Sequence, residues 1–293
     1  MHVVAAEPTP VAIARNRLTV HGLPMLQDNL AWLLVDPVTR TAALVDAPSA
    51  DPVLAACAAL GVTLTTIFIT HTHGDHVGIL HDLARKGALA GLAVVGPRKV
   101  AAQIPGLTTP VDDGDPVAFG GVTGQVLLTE GHLDGHVSYL LDDALFSGDT
   151  LFAGGCGYLF SGPPATMAAS LRRLAALPPA THVFCAHEYT EDNLRFAQSV
   201  DADNAALATR CTDVATLRQA GQTTLPSTID LERATNPFLR VLDPGTSAPI
   251  AAAVARQLPE ADLDPATVTP DALFAATRRL KDTKRYRTAA PAP

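Results

Sequence analysis

T-H-T-H-G-D-H, at residues 70–76, sets three histidines and an aspartate within six residues, directly after the apolar strand-like run 64–69. Imidazole suits zinc and iron, and a carboxylate suits either, so this many ligands so close together can serve two metal ions. A continuing strand would send successive side chains to opposite faces, so a tight turn is expected to gather them into one pocket. His71 and His73, two apart, would then hold one ion, and Asp75 and His76 a second, with Gly74 letting the backbone bend between the pairs.

Such a centre needs more ligands, and the chain supplies candidates in matching settings. His132 follows the apolar run 125–130, Asp149 ends the hairpin arm 144–147, and His187 follows 183–186. Each lies at the end of a short hydrophobic segment, where a loop presents chemistry on a rigid scaffold.

With these residues stand G-D-T-L-F-A-G-G-C-G at 148–157, H-E-Y-T at 187–190, P-S-T-I at 226–229, N-P-F-L-R at 236–240 and R-R-L-K-D at 278–282. On these motifs the chain resembles the metallo-β-lactamase superfamily and, within it, the glyoxalase II family of hydroxyacylglutathione hydrolases. The resemblance implies an α/β fold, an αββα sandwich over residues 17–188, followed by a smaller all-helical domain over 189–293 and preceded by a mobile extension, 1–16. It puts His71, His73 and His132 on one ion, Asp75, His76 and His187 on another, and Asp149 between them. The implied cofactors are two divalent ions, zinc first, with iron or manganese accepted by the same donors. Asp75, His76 and Asp149 become the catalytic ligands of a thioester hydrolase that splits S-D-lactoylglutathione, or a related acylglutathione, into D-lactate and glutathione. His136 is expected to orient a ligand.

For the substrate, the resemblance implicates Tyr158, Phe160, Tyr189, Arg278 and Lys281. Arg278 and Lys281, three apart on one helix face, suit a tripeptide with two carboxylates, while the basic cluster around them also reads as a solvated helix end. Tyr189 reads equally as a boundary aromatic. Three departures bear on the thiol carrier: Tyr158 stands where members carry Lys or Arg, Ser161 replaces a common acid, and Ile79 a common Gly. A persulfide dioxygenase or another hydrolase of the same fold is the alternative, the former needing neither His76 nor His187.

Composition agrees with an enzyme acting on a small molecule. The 293 residues are 47% hydrophobic, and the net charge of −8 argues against a nucleic-acid binder. No apolar run approaches the roughly 18 residues of a membrane span. Cys57, Cys156, Cys185 and Cys211 are far apart, which fits free thiols and a cytoplasmic protein. His2, His21, His81 and His182 match no ligand position and are read as surface or packing residues. Strands are expected at 17–19, 30–36, 42–46 and 66–70, with more over 93–147. Helices are expected at 51–60, 77–86, 166–176, 193–220, 228–234, 248–257 and 270–281. Whether the chain is a monomer or a homo-oligomer is left open.

Overall fold

The computed structural model describes residues 2–287; Met1, from the expected extension, and residues 288–293, from the expected helical domain, lie outside the described residues. The chain first lays down β1 (Val11–Ile13), β2 (Leu18–Met25), β3 (Asn29–Asp36) and β4 (Thr41–Val45), then α1 (Asp51–Leu60), β5 (Thr63–Phe68), α2 (Gly74–Arg85), β6 (Ala93–Pro97) and β7 (Thr109–Val111). These strands form one seven-stranded sheet in chain order, antiparallel from β1 to β4 and parallel from β4 to β7. A second set follows: β8 (Pro116–Phe119), β9 (Val122–Leu128), β10 (Val137–Leu141), β11 (Ala144–Gly148), the short hairpin β12 (Leu151–Phe152) and β13 (Gly155–Cys156), α3 (Pro164–Ala175) and β14 (His182–Cys185).

Beyond β14 come α4 (Thr190–Val200), α5 (Ala205–Gln219), β15 (Ser227–Thr228), α6 (Ile229–Thr235), α7 (Pro237–Arg240), α8 (Ser247–Gln257) and α9 (Pro270–Asp282). The second sheet runs β15-β14-β11-β10-β9-β8. The two-residue period of β3 shows why the sheets stack. Leu30, Trp32 and Leu34 face a core shared with Val126, Tyr139, Phe146 and Phe184 of the other sheet, while Ala31, Leu33 and Val35 face a second core with Val53 and Leu80 of α1 and α2. A third core, on the far face of the second sheet, joins Leu145 and Val183 to Leu171 of α3 and to Phe196, Phe238 and Leu280 of the later helices. The result is the expected αββα sandwich with helices after it.

Several expectations shift. The helix after the histidine run starts at Gly74, not residue 77, so Asp75 and His76 sit in its first turn. Gly74 has open space where a Cβ would stand and no positive φ, so the bend does not depend on glycine there. The single helix expected at 193–220 is two, because Asn204 accepts from Leu207 N–H at 3.2 Å and caps a fresh start. The strand expected at 17–19 extends to Met25. The extension is not free: β1 pairs with β2, and Val4 and Pro8 are buried.

Candidate metal centre

Every residue expected to hold metal lies at one rim of the sandwich, His71, His73, His132, Asp149 and His187 in the segments that leave β5, β9, β11 and β14, and Asp75 and His76 in the first turn of α2. His71 Nε2 and His132 Nε2 each stand 3.0 Å from His73 Nδ1. Asp149 Oδ2 lies 3.3 Å from His132 Nε2 and 4.0 Å from His71 Nε2. On the other side, Asp75 Oδ2 is 3.5 Å from His76 Nε2 and 3.4 Å from His187 Nε2. The second oxygen of Asp149, Oδ1, is 3.6 Å from His76 Nε2 and 3.5 Å from His187 Nε2. One carboxylate therefore faces two separate donor sets, one oxygen to each.

The orientation of the rings explains why donors rather than N–H groups converge. Thr70 Oγ1 donates to Asp46 Oδ2 at 2.7 Å, so at the 3.0 Å contact with His71 the ring Nδ1–H must donate, leaving Nε2 bare. By the same logic His132 Nδ1 donates to the Tyr158 carbonyl (2.8 Å), His76 Nδ1 to Asp46 Oδ2 (2.9 Å) and His187 Nδ1 to Asp28 Oδ1 (2.9 Å). Outer partners of this kind fix the tautomer and aim the lone pair inward. Asn29 Nδ2 donates to Asp75 Oδ2 at 2.8 Å. His136, buried and stacked on His71 with ring centroids 4.8 Å apart, accepts the Asp149 N–H at 3.1 Å, so the orienting role expected of it falls on the Asp149 backbone. Gly148 is required: at φ +50° its Cβ would meet Thr70 Oγ1 at 2.6 Å and His136 Nε2 at 2.7 Å. A Cβ on Gly157 would reach the Asp149 carbonyl oxygen at 2.0 Å.

Charge tells the same story. Burial, reinforced by the neighbouring rings, drives His71 well below the ordinary imidazole value, and burial also lowers His132, so both present neutral lone pairs. Burial opposes protonation of His76 too, but Asp149 and Asp46 outweigh it and push it up to about 10; His187 is raised against its burial by Asp149, Asp28 and Asp75. Asp75 and Asp149 stay ionised well below the usual carboxylate range, in spite of burial, because imidazoles surround them. The carboxylates thus demand positive charge here, which the His76 and His187 rings carry as a proton on Nε2 unless a cation takes its place. Among the described residues, His76 Nε2 and Asp149 Oδ1 are the buried side-chain polar atoms that lack a hydrogen-bond partner, and both point into this space. Donors about 2.0–2.1 Å from one tetrahedral ion lie about 3.3 Å apart, close to the spacings seen, so the site fits two divalent metal ions.

Aromatic rings wall the mouth. Phe160, 61% exposed, meets the rings of His73 (5.1 Å) and His132 (5.3 Å) edge-on, and Tyr158, 52% exposed, leans on Phe160 at 4.9 Å. Tyr189 stacks on His187 at 4.7 Å. Arg278 and Lys281 are not a solvated helix end: both are buried. Arg278 donates to the Cys156 carbonyl at 3.1 Å and pairs with Asp282, while Lys281 bonds Asn193 and lies 5.6 Å from the Phe196 ring centroid. No role at the site was expected of Asp28, Asn29, Asp46 or Thr70. The signal available for Asp46 was its position at a strand end, like the ligands; Asp28 ends the β2–β3 turn and Asn29 opens β3.

Residues 25–187 match the family model of the metallo-beta-lactamase superfamily, and residues 188–284 match that of the hydroxyacylglutathione hydrolase C-terminus. A hydroxyacylglutathione hydrolase of Synechococcus sp. is 49% identical over 253 residues, covering 83% of this chain and 95% of its own. One from Gloeobacter violaceus is 46% identical over 90% of this chain and 99% of its own. Among solved structures, ETHE1 from Myxococcus xanthus superposes with a TM-score of 0.53 at 27% identity, over 85% of this chain and 94% of that one.

Proposed function

Because the chain belongs to the hydroxyacylglutathione hydrolase family of the metallo-β-lactamase superfamily, we propose that it hydrolyses S-D-lactoylglutathione, or a related acylglutathione, to D-lactate and glutathione. The observation that carries this reading is Asp149, whose two oxygens face two donor sets. His71, His73 and His132 would hold one ion, Asp75, His76 and His187 the other, and Asp149 both. When bound, such a pair of ions supplies water activated at neutral pH and neutralises charge on the acyl oxygen. Zinc is the first choice for this nitrogen and oxygen donor set, with iron or manganese tolerated.

The chain's own side chains do the rest. Asp46, Asp28 and Thr70 keep the imidazoles from turning, and Asn29 holds Asp75. Phe160 and Tyr189 flank the centre from opposite donor sets and shield the reacting carbonyl from bulk water. The thiolate leaves without full protonation because a thiol pKa is modest. We assign residues 17–188 to the chemistry and the helices from 189 onward to holding glutathione. Arg278 and Lys281 on one face of α9, beneath the hairpin that leads to Tyr158, are the proposed anchor for its carboxylates. No helix among the described residues is long and apolar enough to cross a membrane. Four unpaired cysteines favour the cytoplasm.

The test is turnover of S-D-lactoylglutathione beside acyl esters of other thiols, with metal analysis of the same sample. Two ions per chain and a preference for the glutathione ester are expected. Oxygen uptake on glutathione persulfide, with a single iron and no thioester cleavage, would replace hydrolysis by a dioxygenase reading.

A further inference from the structure

The first residues of the described chain do more than lead into β1. Val3 N–H donates to the Gln27 carbonyl at 2.8 Å, and Ala5 and Ala6 both donate to the Gly221 carbonyl, at 2.8 and 2.9 Å. The Arg218 guanidinium reaches the Val3 carbonyl from the end of α5. Residues 2–6 thus form a strap that ties the β2–β3 turn to the helices.

His2 occupies the point where this strap meets the metal centre. Its Nδ1 accepts the Val4 N–H at 2.8 Å, so the ring proton resides on Nε2, which donates to the Asn29 carbonyl at 2.8 Å. Asn29 is the residue whose amide holds Asp75, and its neighbour Asp28 holds His187. Asp75 and His187 both belong to the second donor set. The first set takes its orientation from Thr70 and from the Tyr158 carbonyl, neither of which hydrogen-bonds to the strap among the described residues.

We propose that the strap sets the geometry of the second metal set through Asp28, at the end of the β2–β3 turn, and Asn29, the first residue of β3, with His2 as a positioning residue for that ion and not for the first. This rests on the two-ion reading. The turn has other anchors, since Leu30 N–H donates to the Ala186 carbonyl and Glu188 N–H to the Asp28 carbonyl. Loss of His2 should therefore loosen the site without dismantling it.

The experiment compares His2→Phe, which keeps a ring but no hydrogen bond, with His2→Gln, which keeps a donor near the Nε2 position. Zinc-loaded protein is titrated with a chromophoric chelator, and the release step that His187→Ala abolishes is taken as that of the second set. In His2→Phe this step should weaken by about 10-fold, the low end of the range for partners outside the ligand shell. The other step should not move, the thermal midpoint of the metal-free protein should stay, and His2→Gln should restore native release. An unmoved second step overturns the proposal, as does equal weakening of both steps with a lowered midpoint, which marks a general structural role. A native protein that binds fewer than two zinc ions would instead overturn the two-ion reading, and the proposal with it.

Discussion

Asp149 is the residue that makes one centre of two donor sets. Asp149→Ala removes the carboxylate facing both, and His76 then lacks its strongest buried counter-charge. Loss of at least one ion and a fall in turnover of at least about 100-fold are expected. Two tightly held ions with near-native turnover would dismiss the bridging role. Tyr158 acts differently, because its backbone carbonyl orients His132 while its side chain is exposed at the mouth. Arginine there should leave metal content alone and add a charge-assisted bond to a glutathione carboxylate, about 1 to 2 kcal/mol better than a neutral hydroxyl. Tyr158→Arg is therefore expected to lower KM by about 5- to 30-fold with kcat little changed; a raised KM would point to another thiol. The seven candidate ligands were legible because four share one local run and three end apolar segments. Asp46, Asp28 and Asn29 were not, since each acts on a ligand 30, 159 and 46 positions away, and only folding brings the partners together.

Among the elements, α9 carries the clearest split between binding and chemistry. Arg278 and Lys281 lie far along the chain from the ligand loops yet reach β13 through Cys156 and α4 through Asn193. If they hold only the glutathione part, whose contacts change little during attack, Arg278→Ala with Lys281→Ala should raise KM and spare kcat and metal content. Unchanged KM for glutathione esters would make the pair purely structural. Lys281 also titrates: burial, with Arg278 beside it, lowers it from 10.5 to about 7. The folded protein then binds fewer protons than the unfolded chain between about pH 7 and 10.5, so this lysine's penalty is fully present below 7 and fades as pH rises. Stability by urea denaturation should climb from pH 6.5 to 9.5 more steeply in the native protein than in Lys281→Met; parallel profiles would show that Lys281 stays charged. Element boundaries were legible where stop signals are local, as for α1, whose Gly61 at φ +62° ends it where expected. The break between α4 and α5 was missed although Asp201, Asp203 and Asn204 form a polar cluster of cap-forming residues between the two helical stretches, and Asn204 caps α5.

At the scale of the molecule, the change from strands to helices near residue 188 is a boundary in the sequence but not in the packing. The third core runs without interruption from Leu127 and Leu145 on the second sheet to Phe238 and Leu280 in the helices, and β15 pairs with β14. Polar ties reinforce it. Glu232, fully buried, pairs with Arg210 at 2.5 Å and accepts from Gly154 N–H at 2.8 Å, while Asn236 donates to the Phe152 and Gly155 carbonyls. Separating helices from sandwich would expose that core and break the bonds from Gly154 to Glu232 and from Asn236 to Phe152 and Gly155, while the Arg210–Glu232 pair, on α5 and α6, would stay within the helices. The metal-free protein should therefore unfold in one step. Two probes can tell, because the single tryptophan, Trp32, is buried between the sheets with its indole N–H on the Cys185 carbonyl, whereas far-ultraviolet dichroism is dominated by the helices. Their denaturation curves should coincide in the native protein and shift together, to lower denaturant, in Glu232→Ala. If dichroism is lost before Trp32 is exposed, the helices fold as a separate unit and the shared core contributes little.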